Sequence, residues 1–252
     1  YIWRFYYFKP TYHFFYSSKK IIKTTKKMFI NKRITIITGG FGSGKTEISL
    51  NLARQMHKHG KEPYIADLDI INPYFRSREL KKKYAAIGIR VISPSDDYHH
   101  SDLPIILPEI RGILEDKTKN VIVDLGGDDT GSRVLNSLQD IFSISECDFI
   151  FVVNKSRPFT STIKKCLNTM ESIENTTGIK ITGLISNTHL IDETDKELII
   201  SGYNFTKELS EIKKIPIIMV AIVDKFKYRI EEDSFCAPIL WLDRTLFKPW
   251  EQ

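Results

Sequence analysis

The chain has 252 residues, 42% hydrophobic and 27% charged, the proportions of a globular domain with one full core. No apolar run approaches the roughly 20 residues that a membrane-spanning helix needs, and Cys147, Cys166 and Cys236 are too dispersed for a disulfide framework or a Cys-x-x-Cys metal knuckle. The net charge of +6 does not call for nucleic acid or an anionic membrane as partner. Seven basic residues and no acidic one fall within 1–27, leaving 30 basic against 31 acidic residues in the remainder.

Residues 1–27 hold ten aromatics with no helical or strand period, just ahead of Met28. We expect a non-core extension over 1–27 and a single domain over 28–252. The alternative for the extension is an arm for a membrane surface or nucleic acid; it lacks the continuous apolar core and cleavage site of a signal peptide. The three cysteines read as buried thiols in a reducing cytoplasm.

From Met28 onward, short β-branched runs alternate with helical stretches. Strands are expected at 34–38, 63–66, 90–93, 121–125, 149–154, 179–186 and 215–222, and helices at 45–59, 76–86, 131–143, 159–175 and 195–213. Runs such as Val121-Ile122-Val123 and Phe149-Ile150-Phe151-Val152-Val153 are apolar throughout, which suits parallel strands covered on both faces. The pattern predicts an α/β fold, a doubly wound and mainly parallel sheet with helices on both faces.

Between the first strand and the first helix lies Gly39-Gly40-Phe41-Gly42-Ser43-Gly44-Lys45-Thr46, followed by Glu47. It fits G-x-x-x-x-G-K-[ST] in the strand–loop–helix setting where that pattern cradles phosphate. Glycines let successive N–H groups turn inward, and the positive end of the helix adds to the field. Lys45 would meet the β- and γ-phosphates, and the Thr46 hydroxyl would ligate Mg²⁺. Residues 39–47 are thus the cofactor-binding candidates.

Two acidic stations follow at strand ends, Asp67-Leu68-Asp69 and Asp124-Leu125-Gly126-Gly127. In open α/β sheets such positions converge on one crevice beyond the carboxyl edge. An acid ending an apolar strand reads as the carboxylate that holds Mg²⁺, directly or through water. Asp-x-x-Gly at 124–127 lets the Gly127 N–H approach a γ-phosphate, a switch arrangement. For Asp67 or Asp69 the alternative is a cap on the next segment. His99-His100 reads as a polar loop, and Ile239–Leu242 through Trp250 as a tail packed on the core. Asn154-Lys155-Ser156-Arg157 places a cation where guanine binders of the N-K-x-D type carry an acid. A cation cannot accept the guanine N1–H and amine protons, which favours ATP over GTP.

The P-loop, D-x-D, D-L-G-G and the strand end Gly183-Leu184-Ile185-Ser186-Asn187 together resemble the MinD/ParA/CobQ/CobB-type ATP-binding family over nearly all of 28–252. The resemblance implies a slow Mg²⁺-dependent ATPase acting as a nucleotide switch. Asp69 would position the attacking water, Asp67 support the metal and Asp124 hold it, while Asn187 would bind adenine. It also implies a nucleotide-dependent homodimer and a protein partner. The family's second P-loop lysine, however, is replaced by Gly40, so trans-acting lysines do not carry over; Arg76 or Arg78, just after D-x-D, are candidate substitutes, the favoured alternative being that they are solvated arginines of a helix face. Two rival readings share the fold: an ATP-dependent biosynthetic enzyme of the dethiobiotin-synthetase or cobyrinate-amidase type, and a metal-insertion chaperone.

Overall fold

The computed structural model describes residues 30, 32–69, 78–93 and 108–245. The extension 1–27, Met28, Arg76, the His99-His100 loop and the tail beyond Thr245 lie outside the described residues, as does the side chain of Arg78. In chain order the elements are β1 (Ile34–Gly39), α1 (Lys45–Lys58), β2 (Pro63–Leu68), α2 (Arg78–Ala85), β3 (Arg90–Ile92), α3 (Pro108–Glu115) and β4 (Asn120–Leu125). There follow α4 (Asp129–Asn136), β5 (Cys147–Val153), α5 (Ile163–Thr177), β6 (Gly183–Ser186), α6 (Lys196–Lys213), β7 (Ile217–Val223) and β8 (Ile239–Leu242).

The strands form one sheet in the order β3-β2-β4-β1-β5-β6-β7-β8, and every neighbouring pair is parallel. Alternate residues of the central strands feed two cores. On one face Ile34, Ile36, Val121, Val123, Phe149 and Phe151 pack with residues of α3 to α6. On the other, Ile37, Ile65, Ile122, Ile150 and Val152 pack with Ile48, Leu52 and Met56 of α1 and Tyr84 of α2. Each fully buried side chain of this size contributes about 1.5–3 kcal/mol, so burial on both faces explains runs without polar alternation.

The seven expected strands and five expected helices are all present, with shifted ends. Residues 179–182 precede β6 rather than extending it, after Gly178 closes α5 at φ 68°. The helix expected at 131–143 is α4, ending at Asn136. Two elements are additional: α3, and β8, which pairs with β7 where a packed tail was expected.

The register sets up the crevice. Asp67 of β2 stands beside Asp124 of β4, and Asp124 in turn beside Ile37 of β1. The sheet's carboxyl edge therefore presents the P-loop and both acidic stations side by side at the point where strand order reverses.

Candidate functional site

The loop after β1 is shaped by glycines whose conformations other residues rarely adopt. Gly42 and Gly44 lie at φ 71° and 90°. A Cβ on Gly39 would come within 2.6 Å of the Val152 carbonyl. The turn is closed by the Ser43 N–H donating to the Gly40 carbonyl at 3.1 Å. Gly44 leads into α1 with no side-chain cap, whereas α4, α5 and α6 are capped by Asp128, Thr162 and Asp195. First-turn N–H groups lack intrahelical acceptors, so an uncapped N-terminus at the end of a glycine loop is built to receive an anion.

Lys45 is 6% exposed, and its Nζ lies 3.7 Å from Asp69 Oδ2. The Asp69 N–H donates to Asp67 Oδ1 at 3.1 Å, so the two acids share one turn. Asp124 is wholly buried, and neither of its carboxylate oxygens has a hydrogen-bond partner. Burial pushes its pKa up to about 6, and the Asp69 charge adds to that; Lys45 and the nearby Thr46 and Ser49 hydroxyls pull it down. Those hydroxyls stand close enough to act through their dipoles without closing a hydrogen bond of good geometry.

A buried carboxylate without a donor is costly unless something arrives to pair it. Mg²⁺ takes oxygen ligands, commonly one or two carboxylates plus phosphate oxygens and waters. Asp124, Thr46 and Asp67 fit that demand, and the buried, unpartnered oxygens of Asp124 are the observation that says so. Among the described residues no cluster of three His, Cys, Asp or Glu forms a self-sufficient metal cage.

Gly127 presses on the start of the P-loop, where an added Cβ would run into the Gly39 carbonyl. Asp128 then caps α4 through the Gly131 N–H at 2.8 Å. A cavity of about 410 Å³ opens between Gly40, Lys45, Asp69 and Gly127 on one side and Phe159, Asn168, Thr169 and Ser172 on the other. Phe41 and Phe159 stand at its mouth, 62% and 61% exposed.

Two candidates have side chains engaged elsewhere. The Glu47 carboxylate accepts from Asn51 Nδ2 and from the Thr245 N–H and hydroxyl at 2.9–3.0 Å, tying α1 to the segment after β8. Its side chain is thus directed to that segment. The Asn187 amide donates to the Ser43 carbonyl at 2.7 Å, bracing the P-loop from β6. Gly40 has its own physical reason: a Cβ there would meet Thr160 Cγ2 at 3.3 Å, because the turn after β5 lies over it.

The sequence reading missed the role of that turn. Asn154 Oδ1 accepts from the Ser156 N–H, and its carbonyl accepts from the Thr160 hydroxyl. Arg157 Nε donates to the Gly42 carbonyl at 2.9 Å. His189, beside Gly44, has its pKa lowered to about 4 by burial and by the charges of Arg157 and Arg244. Of the cysteines, Cys147 and Cys166 are buried, their thiols pushed up to about 11 and about 12 by desolvation, whereas Cys236 is exposed, against expectation. Among the described residues no helix is long and apolar enough to cross a membrane.

A parallel sheet with a P-loop at its carboxyl edge is the fold of the P-loop NTPases. No family model matches the chain, and no curated relative matches it. Among solved structures it is similar to the cell division protein FtsY of Thermotoga maritima, at 20% identity and TM-score 0.51, over 73% of this chain and 59% of that one. FtsY of Mycoplasma mycoides matches at 14% identity and TM-score 0.51, over 79% and 64%. The signal recognition particle 54 kDa protein of Aeropyrum pernix, in complex with GDP, matches at 21% and 0.50, over 74% and 40%. The chain spans less than two thirds of each of these proteins, and at such identities the likeness is one of fold.

Proposed function

We propose that this chain is a Mg²⁺-dependent ATPase that acts as a slow nucleotide switch. The observation that carries the reading is Asp124, buried without a hydrogen-bond donor beside Lys45 and Thr46, at the foot of an uncapped helix. In this reading the P-loop N–H groups hold the phosphate tail, Lys45 meets the β- and γ-oxygens, and Thr46 and Asp124 hold the metal with Asp67 in support. When bound, Mg²⁺ supplies charge neutralisation at the phosphates. Asp69 orients the water in line with the γ-phosphate; phosphoryl transfer needs positioning and charge more than covalent help. Gly127, lodged on the Gly39 carbonyl, is the contact that would change between the two nucleotide states.

The choice of ATP rests on the turn after β5. Residues 154–160 contain no acid, and in the sequence Arg157 stands where the N-K-x-D pattern carries the carboxylate that reads guanine. The test is Mg²⁺-dependent hydrolysis of ATP and GTP, with Lys45→Ala as control. We expect turnover with ATP, abolished in the mutant, and weaker use of GTP. Equal kcat/KM for the two nucleotides would remove the ATP assignment, and turnover unaffected by Lys45→Ala would remove the site. The switch reading includes a nucleotide-dependent homodimer, measurable by light scattering in ATP and in ADP.

A second reading, ATP-dependent modification of a small carboxylic acid, is favoured by the cavity that continues past Asp69 to Asn168 and Ser172. Turnover that rises several-fold with one acid of a panel, with formation of its phosphorylated product, would establish it in place of the switch.

A further inference from the structure

We propose that Arg157 is a phosphate-binding residue, a fixed second cation of the nucleotide site contributed by the turn after β5. The inference rests on the nucleotide reading above. Lys45 is the P-loop's own cation, but its charge is shared with Asp69 at 3.7 Å and with Asp124. Among the described residues, Lys45 shares this edge with three buried acids, Asp67, Asp69 and Asp124.

Arg157 is placed to supply a second cation. Its Nε is bound to the Gly42 carbonyl, and its Cζ lies 3.7 Å from where a Gly42 Cβ would stand, against the bare crest of the P-loop. A Cβ at 42 would press on Arg157 Nε at 3.2 Å. Among the described residues Arg157 forms no ion pair with a carboxylate; its hydrogen-bonded partner is a neutral carbonyl. A guanidinium has five N–H donors in a rigid fork suited to phosphate, and the bond through Nε leaves the terminal amino groups for oxygens of the ligand.

The turn fixes the residue in advance. Asn154 Oδ1 accepts from the Ser156 N–H, the Arg157 N–H donates to the Asn154 carbonyl, and the Arg157 carbonyl accepts from the Thr160 N–H. Pro158 follows directly and restrains the chain. The Arg157 charge is also felt at His189, beside Gly44, so its field spans the crest of the loop from Gly42 to Gly44. Preorganisation of this kind lets a long side chain bind without first losing its rotamer freedom.

The competing explanation is a strut that merely holds the Gly42 carbonyl. The two are separated by titrating ADP, GDP and adenosine, with Mg²⁺, into the wild-type chain and into Arg157→Lys, Arg157→Gln and Arg157→Ala. A charged hydrogen bond to phosphate corresponds to roughly a 10–100-fold change in affinity. We expect that loss for the diphosphate in both the Gln and Ala variants, a smaller loss in Lys, and adenosine binding unchanged. The salt dependence of diphosphate binding should also flatten in Gln. Gln binding the diphosphate like wild type, or diphosphate and adenosine weakening in parallel, would make Arg157 a strut and overturn the proposal. If the wild type bound neither ADP nor GDP, the nucleotide reading itself would fail and this one with it, which is a different result from equal binding by wild type and variants.

Discussion

Glu174, on α5, is 5% exposed and accepts hydrogen bonds from Lys180 Nζ, the Ile181 N–H and Lys213 Nζ at 3.0–3.1 Å. Asp124, at the carboxyl edge of the sheet, is fully buried and accepts none. Their protonation follows suit. Burial opposes the charge on Glu174, but the donors outweigh it and its pKa is lowered; burial prevails at Asp124, and its pKa rises to about 6. One acid is satisfied by donors of the fold, while neither oxygen of the other has a hydrogen-bond partner. In the proposed reading Glu174 is a structural carboxylate and Asp124 the one that meets the metal.

Asp69 tests the middle ground, being paired with Lys45 yet facing the cavity. Asp69→Ala is expected to lower ATP turnover by roughly 10²–10⁴ while nucleotide affinity stays within a few-fold. Single-turnover kinetics with parallel binding measurements will check it, and wild-type hydrolysis in the mutant would transfer the role to another group.

The two buried acids should respond in opposite senses to substitution. Asp124→Asn should weaken Mg²⁺-nucleotide binding by about 10–100-fold, yet raise the melting temperature of the ligand-free protein at pH 7, since a stranded charge is removed. With a folded pKa above the unfolded one, Asp124 contributes stability below about pH 4 that is lost as pH rises through about 6. The Asn variant should lack that slope. Glu174→Ala should cost about 1–3 kcal/mol by leaving the Ile181 N–H without its acceptor, with nucleotide affinity unchanged. The Glu174 contribution has the reverse sign, being present above the unfolded carboxylate range and lost as pH falls through the lowered value. Thermal unfolding from pH 4 to 8 reads both, and parallel slopes for the two mutants would erase the contrast.

The smallest effect is expected at Asn187. As a brace on the Ser43 carbonyl its loss should cost about 0.5–1.5 kcal/mol, weakening ADP and GDP alike. A loss confined to ADP, measured by calorimetry, would instead make Asn187 a reader of adenine.

What the sequence made legible follows from the range of each signal. The P-loop was visible because its spacing is local and its strand and helix flank it directly. Asp67 and Asp124 were visible because apolar strands lead into them. Arg157 belongs to a segment whose residue types speak only to base choice; its contact with Gly42 crosses 115 residues, and nothing in Asn154-Lys155-Ser156-Arg157 specifies that distance. The same limit hid the Glu47–Thr245 bonds across 198 residues. The missed β8 is only four residues long and ends the described sheet, so it lacked the flanking helix that marked other strands.

The ties from Glu47 and Asn51 to residues 243–245 acquire a further meaning when the chain is considered as it is made. Ribosomes add roughly 5–20 residues per second, so the last partner of Glu47 follows it by roughly 10–40 s. During that interval α1 carries a buried-to-be carboxylate and amide without their partners at residues 243–245. The helix that floors the P-loop therefore cannot complete its packing until residues 243–245, nearly 200 positions later, have been made.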